Sequence, residues 1–158
     1  MMARYNTWQN AQYLSFLEPL DPKKLTLDRK AFFGSILGTL NHLFWGDAMW
    51  MARFEGTRPP AGSIQDSPQF FATLGAWSEE RIAMDARIER WAKRLVPQDI
   101  AGELTWYSHA GRRDMAKPMA LCIAHFFNHQ THHRGQVHAM LTSAGLNAPV
   151  SDLFLMPE

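Results

Sequence analysis

The sequence predicts an all-α chain built as a four-helix bundle. Three observations carry that expectation: four long stretches with apolar residues at helical spacing, proline and glycine breakers between them, and almost no strand pattern. At 158 residues, 46% of them hydrophobic, the chain is long enough to bury one core, and residues 1–158 read as a single domain.

Taken in order, residues 3–18 form a first helix that ends at "EPLDP", where Pro19 and Pro22 cannot continue it. A second helix is expected from about Asp28, a suitable N-cap, to Glu55. Gly56 then takes the place where helices prefer glycine, and Pro59 and Pro60 bar continuation. Within it Gly34 and Gly38 stand four apart, a spacing that lets a neighbouring helix approach closely.

The third helix is expected to begin at Ser67 as cap with Pro68 in the first turn. Its seam runs Phe70, Leu74, Trp77, Arg81, Met84, Ile88, Trp91 and Leu95, in steps of four and three. Arg81 is the one charge on that seam. Its stem is expected to pack there with its head reaching water or a glutamate. The alternative is an anchor for a ligand carboxylate. Pro97 closes the helix, and the fourth runs from near Pro118 to about Ser143, where Gly145 stops it. Between them, "GELTWYSHAGRRDMAKP" alternates around Gly111 and fits a short hairpin. The loops from helix two to three and three to four exceed what a minimal bundle needs and are expected to cover one end.

Composition excludes several classes. The formal charge is +1 with no basic run, which argues against a nucleic-acid partner. No apolar stretch reaches the ~20 residues that span a bilayer, and the start "MMARYNTWQN" lacks a signal peptide's apolar centre. With Cys122 as the one cysteine, no internal disulfide forms and a cytoplasmic location is expected. Cys122 itself reads as a small buried hydrophobe. Six tryptophans and nine methionines suit a core, an apolar pocket or a subunit interface.

Chemistry is concentrated in "HFFNHQTHHRGQVHAM", residues 125 to 140, which hold five of the seven histidines. On a helix, His125, His129 and His133 climb one face, His132 flanks them and His138 points away. Imidazoles at i and i+4 can share one metal ion, and both His129/His133 and His125/His129 meet that spacing. A catalytic ion generally needs three protein ligands, and His42, set among Leu40, Leu43, Phe44 and Trp45, is the candidate third. A core histidine with a hydrogen-bond partner is the plain alternative for His42. The residue after His129 is Gln130, not the glutamate of zinc proteases, and the paired Glu-x-x-His of di-iron bundles is missing, so a single ion is expected.

"FNHQTHHRGQVHAML" and "GTLNHLFWGDAMWMARFEG", with "YNTWQN" and the late "DLFLM", resemble the DinB/YfiT-like family over essentially the whole chain. The resemblance implies a bundle holding one divalent ion through His42, His129 and His133, so it selects between the two spacings. It also implies a metal-dependent transferase or isomerase that uses bacillithiol, mycothiol or glutathione, and a homodimer. The metal is expected to be zinc, with nickel, copper or iron also suited to histidine. In such a site His125 or His132 would support or move protons, Asn128 and Gln136 would orient imidazoles, and Trp45 and Met49 would line a pocket or simply pack. Two other functions compete: hydrolysis of a small ester, amide or lactone, and a non-catalytic, stress-related metal-binding protein.

Overall fold

The computed structural model describes residues 1–108 and 111–158. It is mostly helical: α1 (Met2–Leu17), α2 (Pro22–Thr26), α3 (Ile36–Glu55), α4 (Leu74–Arg94), α5 (Pro97–Ala101) and α6 (Met119–Ser143), with strands β1 (Glu103–Ser108) and β2 (Arg113–Pro118) before α6. The four long helices are neighbours in pairs. α3 packs on α6 and α4, and α1 packs on α4 and α6. No helix is long and apolar enough to cross a membrane among the described residues.

Two helix starts differ from expectation, each because a polar side chain closes a turn instead. Asp28 accepts from the Lys30 backbone N–H at 2.9 Å and pairs with its ammonium, and Lys30 takes a positive φ of 58°. The second long helix therefore starts only at Ile36, where the Ser35 hydroxyl caps the Gly38 N–H at 3.0 Å. Pro22 opens the separate short α2, capped by Asp21. Ser67 and Pro68 begin only a 3-10 turn, Ser67–Gln69, and α4 waits for Thr73, which accepts from Ala76 N–H at 3.2 Å. Phe70 consequently leaves the expected seam and packs on Phe44 and Phe71.

The helix ends follow the glycines. Gly56 caps α3 at φ 65°, and Gly145 sits at φ 68° beyond α6. The role expected for the Gly34/Gly38 pair is not what the fold uses. Gly34 lies in the turn before α3 at φ 74°, and a Cβ on Gly38 would meet the Phe33 carbonyl oxygen at 2.4 Å and Pro68 Cβ at 3.4 Å, not a neighbouring helix. The hairpin does form, in antiparallel register from Glu103 opposite Pro118 to Ser108 opposite Arg113, so the chain is not purely helical.

The core contains Trp77, Ile88, Phe126, Leu40 and Met51, and it also contains a buried ionic network. Arg81 reaches Asp47 on α3 at 2.6 Å and Asp85 on its own helix at 2.8 Å. Asp47 accepts from Gln130 on α6 at 2.9 Å, while Asp85 accepts from Asn6 and Asn10 on α1. Arg134 on α6 donates to Asn6. Arg81 is only 2% exposed, so its head reaches neither water nor a glutamate, and with two carboxylates of the chain on it no ligand is anchored there. Breaking a buried pair leaves a charge uncompensated, at a cost of about 3–5 kcal/mol. Arg81→Met is expected to lose that much in urea unfolding; a loss below about 1 kcal/mol would show that the two aspartates do not depend on it.

Candidate metal centre

Three imidazoles from two helices converge where α3 faces α6. His42 Nε2 lies 3.3 Å from His129 Nε2, and His133 Nε2 lies 3.0 Å from it. The closeness has a cause in α3: Gly46. A Cβ there would stand 2.9 Å from His129 Cε1, so only glycine leaves the ring its place. Sequence reading singled out Gly34 and Gly38 and passed over this one, which carries no turn signal because it sits mid-helix.

The second ring nitrogens fix two of the tautomers. Ser67 donates its hydroxyl hydrogen to the Ile64 carbonyl at 2.6 Å, so its oxygen accepts from His42 Nδ1–H at 2.9 Å. The Gln136 amide oxygen accepts from His133 Nδ1–H at 2.8 Å, and its NH2 donates to His132 Nε2 at 3.2 Å. Both His42 and His133 therefore turn a bare Nε2 lone pair toward His129. Ser67, expected as a helix cap, instead orients an imidazole. The loop that carries it is tied to α3 by Asn41, whose amide donates to Pro68 and Phe71 carbonyls at 2.8 and 2.9 Å, and by Trp45 Nε1, which donates to Ala61 O at 3.0 Å.

The donor set fits a divalent cation. His129 Nδ1 is buried without a partner among the described residues. If that nitrogen carries the proton, three lone pairs confront one another. If Nε2 carries it, one hydrogen faces two acceptors and Nδ1 is left bare. Either way a lone pair is in surplus, which a cation would satisfy. Ligand nitrogens ~2.0–2.1 Å from a tetrahedral ion stand about 3.3 Å apart, close to the spacings seen. His42, His129 and His133 form a group that could hold a metal ion, with no fourth His, Cys, Asp or Glu completing it among the described residues.

A model of the DinB family matches residues 1–158. The chain belongs to the DinB family. It is also 25% identical over 162 residues to "Protein DinB" of Bacillus subtilis (strain 168), covering 94% of this chain and 87% of that relative. Within this family member the remaining predicted residues separate. Gln136 touches the cluster as expected, and through it His132 is linked. His125 is exposed, its ring 5.8 Å from that of His129. Asn128 is exposed and makes no hydrogen bond to the three rings. Trp45 is buried with its ring 6.3 Å from His42, and Met49 is half-buried. Cys122 is a free, buried thiol whose pKa burial pushes up. One contact had no sequence signal: Phe33 stacks on His42 with centroids 3.7 Å apart.

Burial is the largest influence on all three imidazoles. It lowers His42 to about 4 and His129 to about 3, helped by repulsion from neighbouring imidazoles, and it lowers His133 as well. In the metal-free chain these rings stay neutral while unfolded ones, titrating near 6.5, take up protons. Stability is thus full above about pH 6.5 and falls on acidification through the folded values near 4 and 3. The metal-free melting temperature is expected to fall steadily over that window in wild type and less steeply in His129→Gln. Equal slopes would disprove the linkage.

Gly46→Ala supplies an orthogonal check. Alanine favours the helix by up to ~1 kcal/mol, yet its methyl must displace the His129 ring. Divalent-ion affinity, read by chelator competition, is expected to drop at least about tenfold without loss of helicity. An unchanged affinity would show that the ring position does not matter.

Proposed function

We propose that His42, His129 and His133 hold one divalent ion, zinc in the first place with nickel or iron as substitutes, and that the protein is a metal-dependent thiol transferase or isomerase. The observation that carries this reading is the convergence of three Nε2 atoms, two of them held as bare lone pairs by Ser67 and Gln136. A divalent ion with neutral ligands keeps its full charge and would lower the pKa of a thiol at an open position.

The chain's own residues have defined tasks in this scheme. Ser67 and Gln136 hold the ring orientations, Phe33 covers one face of His42, and His132, hydrogen-bonded to Gln136, is placed to move protons near His133. The thiol is a low-molecular-weight one of the bacillithiol, mycothiol or glutathione kind, and it attacks an electrophilic small molecule. Thiol chemistry is favoured over hydrolysis because no Asp or Glu joins the three imidazoles as a general base among the described residues. It is favoured over a purely structural ion because three protein ligands leave coordination to spare. We further read the arrangement as the family's four-helix bundle in one domain, acting as a cytoplasmic homodimer with no nucleic-acid or membrane partner.

Elemental analysis of protein from its native host is expected to give one divalent ion per chain, and His42→Ala and His129→Ala to lose it. A thiol-by-electrophile screen should then show turnover that chelation abolishes. Full metal content in either variant would overturn the ligand set, and turnover that survives chelation would overturn the mechanism.

A further inference from the structure

Beyond the histidines, the α3 face that carries His42 and Gly46 continues through Trp50 to Arg53, because these positions recur at helical spacing. Aromatic rings connect the two ends. The His129 ring is 5.8 Å from His125, His125 is 5.0 Å from Trp50, and Trp50 is 5.7 Å from Trp106 on the hairpin. Arg53 lies over both indoles, its Cζ 4.6 Å from the Trp50 ring centre and 5.1 Å from that of Trp106. Seven residues of helix separate Gly46 from Arg53, about 10 Å along the axis.

Arg53 differs from the ion-paired arginines, and from the buried Arg134, which donates to Asn6. Arg81 has two aspartates, and Arg87 and Arg94 share Glu55, only two residues from Arg53. Arg53 is half-buried, and no carboxylate or carbonyl pairs with it among the described residues. The groups that feel its charge are Cys122 and His125. The two indoles, inclined at 64° to one another, both lie against the Arg53 guanidinium and strip part of its water, while the N–H groups of a guanidinium match a carboxylate.

We propose that Arg53, held by Trp50 and Trp106, is an anion-binding subsite that takes the carboxylate of an elongated ligand whose other end reaches the three histidines. The ligand class is a thiol with a carboxylate on the order of 10 Å away, a separation set by the α3 rise. This assignment of the ligand's far end rests on the metal reading for its near end. Arg81 is closed off in the core by Asp47 and Asp85, whereas Arg53 has no carboxylate partner among the described residues.

The test titrates the metal-loaded chain with a graded series of ω-mercaptocarboxylates and, in parallel, the ω-mercaptoalcohols of equal length, followed by tryptophan fluorescence. Above a threshold length the carboxylates are expected to bind about tenfold more tightly than the alcohols, the worth of one charged hydrogen-bonded pair. Arg53→Gln is expected to erase that ratio without changing alcohol affinity, and Arg53→Lys to keep part of it, with thermal melts confirming that both variants fold. Equal affinity for the two series in wild type, or a ratio that persists in Arg53→Gln, overturns the proposal. The alcohols report the metal separately: if His129→Ala leaves their affinity intact, the metal reading fails while the carboxylate ratio still reports on Arg53.

Discussion

The buried bond from Arg81 to Asp47 sets the register on which the remaining structure depends. Asp47 follows Gly46, and Gln130 follows His129. With Arg81 and Gln130 both on the Asp47 carboxylate, α3, α4 and α6 are locked at one level, and Asp85 extends the lock to α1 through Asn6 and Asn10. The same register puts Gly46 against His129. Apolar packing alone tolerates small slips between helices, whereas a buried carboxylate tolerates none, because a lost partner leaves a charge without solvent or counter-charge. Burial pushes the Asp47 carboxyl up, and Arg81 is the largest influence drawing it back. The position of the three imidazoles is in this sense an electrostatic consequence of a core contact.

Much of this was legible in sequence, for reasons that differ by element. The seam from Leu74 to Trp91 and the glycine stops at Gly56 and Gly145 depend on local periodicity and backbone preference, and both survive folding. The hairpin was equally local. The starts of α3 and α4 were misplaced because Asp28 and Ser67 are as good at closing turns as at capping helices, and the choice depends on what lies opposite them. For Ser67 that is His42, twenty-five residues away. The burial of Asn6 and Asn10 has no local signal, since nothing in a short window shows that their partner is Asp85.

The histidines illustrate the same boundary. Spacing placed His125, His129 and His133 on one face, and could not choose a pair from it. Across the helix interface His42 and the gap at Gly46 meet His129, and Gln136 turns His133, so these are the three rings that converge. His125 has the same spacing to His129 but looks instead onto Trp50. Spacing gives the set of side chains able to share a ligand; the partner helix selects among them.

Charge balance sharpens the functional reading. The acids that lie deep in the chain are engaged by arginine and asparagine, Asp47 and Asp85 in the core and Glu55 at the end of α3. The cluster contributes neutral imidazoles, and their lowered pKa values keep them neutral well into acid. On the proposed reading, a dipositive ion would sit about 10 Å along α3 from the half-buried Arg53, with no carboxylate paired to either among the described residues. Low-dielectric surroundings make such an imbalance costly unless a ligand supplies the missing charge. A thiolate at one end and a carboxylate at the other would supply it at the two places where the chain does not, which favours an anionic thiol over a neutral one as the molecule this surface selects.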